Sequence, residues 1–174
     1  MAGYDHLAKA IRDVPDFPKP GILFKDITTL IKRADLFAEV IDIFSAKYGR
    51  AKIDKVVGIE ARGYLFASAL AYRLGAGLVP VRKPGKLPAE TVSVTYELEY
   101  GSDSVQMHKD ALEPGERVLV VDDLLATGGT AEATCRLVEG RGAVITGVAF
   151  LVELDFLHGR RRLAGYDVFS IVNF

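Results

Sequence analysis

The chain is poor in several things that specialised proteins need. It has one cysteine, Cys135, in 174 residues. An internal disulfide is therefore impossible, and a reducing compartment is expected. The three histidines and the lone cysteine make no ligand spacing of a structural zinc site. No apolar run is long enough to span a bilayer. The first residues, "MAGYDHLAKAIRDVPDFP", carry charges throughout and lack the apolar core of a secretory signal. The 22 Lys and Arg nearly balance the 23 Asp and Glu, for a net charge of −1. No basic field is present to recruit nucleic acid. These absences point to a cytoplasmic, soluble protein with no membrane or nucleic-acid partner.

What remains is an ordinary globular composition, 49% hydrophobic and 26% charged, at a length that suits one domain with a substantial core. There is no internal repeat and no low-complexity segment. "YDHLAKAIRDV" predicts a short helix ended by Pro15 and Pro18. "DFPKPGILFKDIT" mixes turn formers with apolar residues and reads as an ordered, extended surface segment. Leu36, Phe37, Val40, Ile41 and Phe44 share one face of a helix, with Asp35 near its start. Short buried strands follow at "KVVGI", "GAGLVPV", "RVLVV", "AVITGVAFLVEL" and "YDVFSIVNF". Helices are expected at "YLFASALAYRL" and "AEATCRLVEGRG". Strands alternating with helices predict an α/β fold, a mainly parallel central sheet with right-handed crossovers and both faces covered. Residues 83–108 break the rhythm. They alternate apolar and polar residues between turn signals and read as an antiparallel, hairpin-like excursion, either a lid or a partner surface. "HGRRR", at 158–162, reads as a solvated turn and helix start.

The most informative stretch is "VLVVDDLLATGGT", residues 118–130. A buried strand is expected to end at Asp122 and Asp123, followed by a loop of small residues that opens a helix. In open α/β sheets, ligands gather at the carboxyl ends of the strands. Ala126, Thr127, Gly128, Gly129 and Thr130 allow close backbone approach, amide donors at a helix N-terminus, and two hydroxyls, which suit a phosphate monoester. The loop is neither a Walker A motif nor G-x-G-x-x-G. Two carboxylates would repel a bare phosphate but can accept from hydroxyls. A sugar phosphate satisfies both ends.

This stretch resembles the phosphoribosyl-pyrophosphate signature of the type I phosphoribosyltransferases. "IRDVPDFPKPGILFKDIT", "GIEARGYLFA", "VPVRKPGKLP", "YELEYG" and "HKDALEPGERVLVVDDLLATGGT" resemble the adenine phosphoribosyltransferase branch of that family, over about residues 11–153. Tyr64 stands where many members have Phe. The resemblance implies one phosphoribosyltransferase domain over 1–174, with an N-terminal hood over about 1–34 that binds the base and a flexible lid over about 83–108. It implies transfer of the 5-phosphoribosyl group from 5-phospho-α-D-ribose 1-diphosphate to adenine, giving AMP and diphosphate in purine salvage, with Mg²⁺ held mainly by substrate, and a homodimer.

The same resemblance assigns residues. Asp122, Asp123 and Ala126–Thr130 would hold the ribose hydroxyls and 5-phosphate. Ala61, Arg62, Lys83 and Lys86 would hold the diphosphate, with Arg62 and Lys83 assisting catalysis. Leu23, Phe24 and Lys25 would bind adenine, Phe24 by stacking and its two neighbours through backbone groups. Glu99 would act as acid/base at the base's N7, with Tyr100 beside it on the lid. Pro84 replaces a basic residue of some members and removes one donor. Two other readings stay open: a relative that uses a 6-oxopurine, and a non-catalytic regulator that senses the activated sugar. A regulator would be expected to carry a nucleic-acid-binding module, for which this N-terminus is short.

Overall fold

The computed structural model describes residues 3–97 and 101–174. Its centre is a five-stranded parallel sheet of β3 (Lys55–Ile59), β4 (Gly77–Val81), β7 (Arg117–Leu125), β8 (Val144–Glu153) and β9 (Val168–Asn173), in the order β4-β3-β7-β8-β9. These strands read as nearly unbroken apolar runs because both faces are covered. The period of two sorts their side chains. Val56, Leu119, Val121, Ala149 and Leu151 pack with helices α3 (Ala34–Tyr48) and α4 (Gly63–Leu74). Val57, Val118, Val120, Val148 and Phe150 pack with α5 (Gly129–Glu139) on the other side.

Two antiparallel hairpins are added to this frame. β1 (Arg12–Pro15) pairs with β2 (Leu23–Asp26), and β5 (Thr91–Glu97) with β6 (Ser102–His108). The first follows α1 (Asp5–Ala10) and leads through the single turn α2 (Thr28–Ile31) into α3. Arg12 and Asp26 face each other in register, and their side chains form an ion pair of 2.5 Å. The Asp26 carboxyl also accepts the Thr28 backbone N–H at 2.9 Å. Hydrogen bonding from Thr28, and then from Arg12, pulls its pKa down to about 2.

Two expectations change and a third is extended. The first helix stops at Ala10, not near Pro15, because Arg12–Pro15 find strand partners in Leu23–Asp26. β7 runs past the aspartates to Leu125, because β8 continues beside it, pairing Asp122 with Phe150, Leu124 with Val152 and Leu125 with Glu153. The 158–162 stretch is exposed apart from Gly159 and opens a 3-10 turn, Gly159–Leu163, as expected, but it is also tied down, with Arg160 paired to the buried carboxylate of Glu153.

Candidate active site

Chain order and sheet order together fix where a ligand can enter. From β3 the chain crosses to β4 on one side, while β7, β8 and β9 build outward on the other. The crossovers on either side of the β3/β7 boundary therefore diverge, leaving a crevice at the carboxyl ends of these two strands. The residues that follow β3 are Glu60, Ala61 and Arg62; β7 ends in Asp122-Asp123-Leu124-Leu125 and the loop Ala126–Gly128.

That loop encloses a hollow of about 80 Å³, lined by Asp122 and by Leu124 to Ala131. Among the described residues, the backbone N–H groups of Thr127, Gly128, Gly129, Thr130 and Ala131 donate to no backbone carbonyl. They lie at the N-terminus of α5, whose dipole adds positive potential. Gly128 adopts φ +84°, a region open to glycine at little cost. Its missing side chain also matters, since a Cβ there would lie 2.5 Å from the Gly159 carbonyl oxygen.

Asp123 is 4% exposed. The Arg62 Nε lies 2.8 Å from its Oδ2, too poorly aligned for a hydrogen bond, so this buried oxygen is charge-paired but unbonded. Asp122 opens into the loop hollow, and its Oδ1 accepts the Asp123 N–H at 2.8 Å. Burial, then repulsion from Asp123, pushes the Asp122 carboxyl well above the usual carboxylate range. Burial also raises Asp123, against the opposing pull of Arg62. An adjacent acidic pair of this kind gains from hydroxyl donors or a cation.

Arg62 joins this pair to the N-terminal hairpin: its guanidinium lies 5.0 Å from the centre of the Phe24 ring, within range of a cation–π contact. Phe24 is half-buried and meets Phe17 edge-on at 5.1 Å. Leu23 beside it is 50% exposed. The Lys25 side chain is buried, with its ammonium 2.6 Å from Asp13 and 3.7 Å from the centre of the Phe174 ring. Arg62 thus contacts both an aromatic ring and the acidic pair, through Asp123.

The second hairpin packs on α5 and beside β4. Tyr96 on β5 shares a hydrogen bond of 2.9 Å with the Thr130 hydroxyl, and it also reaches Asp103 and Lys83, each at 3.2 Å. Lys83 is ion-paired with Asp103. Partial burial disfavours its charge, but the bonds to Asp103 and Tyr96 outweigh this and hold its pKa above the ordinary lysine value. Glu60 accepts from the Lys83 backbone N–H at 3.0 Å and pairs with Arg82. Arg82 also donates to the Lys86 carbonyl, which leaves the Lys86 side chain exposed beside the turn. The Tyr64 hydroxyl donates to the Val81 carbonyl at 2.9 Å, which gives this tyrosine a partner that phenylalanine would not need.

The structure brings together Arg62, Asp122, Asp123, Phe24 and the 126–130 loop, and connects Lys83 to Thr130 through Tyr96. Ala61 lies exposed at the mouth. Glu99 and Tyr100 lie outside the described residues. No role was expected for Glu60, Tyr96, Asp103 or Gly159, although Glu60 lies in "GIEARGYLFA", Tyr96 in "YELEYG" and Gly159 in "HGRRR". Only the alternation of β5 and β6 hinted that Tyr96 faces inward. Cys135 is buried on α5, and burial pushes its thiol up to about 12, which removes it as a nucleophile at neutral pH. Among the described residues no three His, Cys, Asp or Glu converge to cage a metal. No helix of the described residues is long and apolar enough to cross a membrane.

Comparison with known proteins matches this geometry. Residues 27–173 fit the family model of the phosphoribosyl transferase domain. The adenine phosphoribosyltransferase of Solibacter usitatus is 61% identical over 168 residues, 97% of each chain. The crystal structure of adenine phosphoribosyltransferase from Thermoanaerobacter pseudethanolicus superposes with a TM-score of 0.95 at 54% identity, covering 98% of this chain and 99% of that one. The Saccharomyces cerevisiae enzyme, crystallised with an imino-altritol bisphosphate and adenine, superposes at 0.90 with 44% identity, over 96% of this chain and 97% of that one. Alike in sequence and in fold along almost its whole length, the chain belongs to the adenine phosphoribosyltransferases of the phosphoribosyltransferase family.

Proposed function

We infer that the chain transfers the 5-phosphoribosyl group of 5-phospho-α-D-ribose 1-diphosphate to adenine, releasing AMP and diphosphate, in purine salvage. One observation carries the reading: an amide-lined hollow, an acidic pair and an arginine against an aromatic ring meet in order at the sheet's switch point. They match the phosphate, hydroxyls, diphosphate and base of the two substrates.

The 5-phosphate would sit in the Ala126–Thr130 loop, bonded by amides and by the hydroxyls of Thr127 and Thr130. Asp122 and Asp123 would accept from the ribose hydroxyls, which would relieve the repulsion that raises Asp122. Arg62, Lys83 and Lys86, with the backbone of Ala61, would hold the diphosphate. Arg62 and Lys83 would stabilise its charge as the C1–O bond breaks and the ribose gains oxocarbenium character. Phe24 would hold adenine flat, while backbone groups of Leu23 and Lys25 read its edge. As its ring nitrogen bonds to C1, adenine loses a proton, which Glu99 is proposed to accept or share at N7. Tyr100 would close beside it, and closure of the lid would exclude water. Little covalent work is left to the protein, so positioning and electrostatics supply most of the rate.

Mg²⁺ fits the donors at hand. Hard cations of this size keep waters and substrate oxygens and take few protein ligands, and the acidic pair with its unbonded oxygen is compatible with that. When bound it would neutralise charge on the diphosphate. A homodimer is proposed as the working form. The outer face of α4 exposes Leu65 and Tyr72, the latter 91% accessible, next to a hollow of about 430 Å³ lined by Ile31, Phe37 and Tyr64. A second copy would cover such a face. The whole chain is taken as one catalytic domain, with residues 1–34 as the base hood and 83–108 as the lid. The lone buried cysteine suits a cytoplasmic setting.

The test of the loop assignment is Thr127→Val, which keeps shape and removes a hydroxyl. Losing a hydrogen bond to a charged group costs about 1.5–3 kcal/mol, so affinity for the activated sugar should fall about ten- to a hundredfold by calorimetry. Adenine affinity should change far less. Unaltered sugar affinity in a folded mutant means that the phosphate binds elsewhere.

A further inference from the structure

Against the loop that would hold the 5-phosphate lies the segment His158–Leu163. His158 takes a left-handed conformation, φ 53° and ψ 29°, and turns the chain so that Gly159 meets the loop from behind. The contact is backbone on backbone. A Cβ on Gly159 would collide with the Ala126 carbonyl and lie 3.0 Å from the Gly128 nitrogen. The two backbones are in direct contact there.

The next residues hold Gly159 in place from two directions. Arg160 forks onto Glu153, Nε to Oε1 at 2.9 Å and Nη2 to Oε2 at 2.5 Å. Its Nη1 donates to the Val168 carbonyl at 2.8 Å. Glu153 ends β8, is 4% exposed, and also accepts from the Ser170 hydroxyl at 2.6 Å. Burial works against its charge, but the bonds from Arg160 and Ser170 outweigh burial and keep the carboxyl below its ordinary range. Two residues later, Arg162 pairs with Glu132 at 3.2 Å, in the first turn of α5, the helix whose N-terminus the loop opens. Leu163 then buries into the core. One arginine ties the segment to the sheet, the other to the helix, and Gly159, just ahead of both in the chain, meets the loop.

We propose that Arg160 and Arg162 are positioning residues for the sugar phosphate, acting through Gly159 on Ala126–Gly128. The proposal rests on the reading that this loop binds the 5-phosphate. Both guanidiniums are engaged with carboxylates. Their effect is to keep the loop amides converged on one point, since small displacements of a positioned group cost rate and affinity steeply. A planar, forked donor is needed at 160, and a lysine there keeps the charge but loses the fork.

The test uses Arg160→Lys, which leaves Glu153 a cation and so favours a folded protein, and Arg162→Met, which leaves the Glu153 pair intact. Binding of ribose 5-phosphate is measured by calorimetry, with steady-state kinetics alongside. Arg160→Lys should weaken ribose 5-phosphate about tenfold and raise the KM for the activated sugar similarly, with the adenine KM within threefold. Arg162→Met should do the same to a smaller extent. Combined with Thr127→Val, Arg160→Lys should add less than its single effect, because a displaced loop no longer presents that hydroxyl. If Thr127→Val weakens ribose 5-phosphate while both arginine variants bind within threefold of the parent, the proposal is wrong and the loop assignment stands. Equal losses for sugar and base, or strict additivity, also overturn it, since they mark general destabilisation. If Thr127→Val has no effect, the loop assignment itself fails.

Discussion

Replacing Gly128 by alanine separates two costs that this glycine avoids. The first is conformational: φ is +84°, and an L-residue in the left-handed region costs about 1–2 kcal/mol. The second is contact: the new Cβ would lie 2.5 Å from the Gly159 carbonyl oxygen, so one of two backbones must retreat by a sizeable fraction of an ångström. Gly115 provides the control. Its φ is also +84°, and a Cβ there meets nothing within 4 Å. Gly115→Ala should therefore cost only about 1–2 kcal/mol. Gly128→Ala should cost about 2–4 kcal/mol, in the range of backbone strain combined with overpacking. At this chain length each kcal/mol lowers Tm by about 2–4 °C. Function should diverge further. The retreat moves the loop amides, so affinity for the activated sugar should fall by up to about a hundredfold in Gly128→Ala and stay at the parent value in Gly115→Ala. Denaturant melts and calorimetry with ribose 5-phosphate read both effects. Equal stability losses, with sugar affinity intact in both, would refute the argument that the loop is held against Gly159.

The acidic pair predicts a trade between stability and binding. Because the Asp122 carboxyl is raised by burial and by Asp123, the folded chain holds its proton more tightly than the unfolded chain, and native stability falls as pH rises from the ordinary carboxylate range through the raised value. Asp122→Asn should therefore stabilise the ligand-free protein in denaturant melts at pH 8 more than at pH 5, while weakening sugar binding; equal gains at both pH values would contradict the assignment of the raised group. Glu99→Gln should lower kcat by about 10²–10⁴ in both directions, the usual range for acid–base catalysis, with substrate affinities little changed, and single-turnover kinetics within threefold of the parent would remove Glu99 from the mechanism.

Much of the frame was visible in the order of residues. Runs such as "KVVGI" and "RVLVV" are apolar on both faces, which only a doubly covered sheet explains, and the helices between them dictate parallel strands. The Ala126–Thr130 loop was legible because small residues, hydroxyls and an acidic pair have few joint uses. The length of β7 was not. Asp122 and Asp123 resemble a strand end by charge, yet β8 continues beside them, and ladder pairing with Phe150 and Val152 outweighs local preference. The N-terminal hairpin was concealed similarly, since Arg12–Pro15 are strand only because Leu23–Asp26 lie alongside. The ties of the exposed "HGRRR" stretch were concealed because its partners, Glu153 and Ser170, come from two different strands. The contact of Gly159 with Ala126 and Gly128 joins residues about thirty positions apart through backbone alone, and no side-chain pattern records such a contact. Tyr96 was hidden for a related reason: its bond to Thr130 depends on how the second hairpin docks on α5.

Substrate choice is the central claim, and it rests on backbone groups around Phe24 that a sequence does not display. Donors and acceptors on the base edge invert between 6-amino and 6-oxo purines, and a mismatched buried pair costs about 1–3 kcal/mol. The direct measurement is product analysis after incubation with 5-phospho-α-D-ribose 1-diphosphate, Mg²⁺ and, separately, adenine, hypoxanthine and guanine. Adenine should give AMP and diphosphate in equal amounts, with hypoxanthine and guanine converted slower by at least about tenfold. Turnover of guanine at a rate comparable with adenine would contradict the adenine assignment, and no turnover of any base would favour a protein that binds the activated sugar without using it.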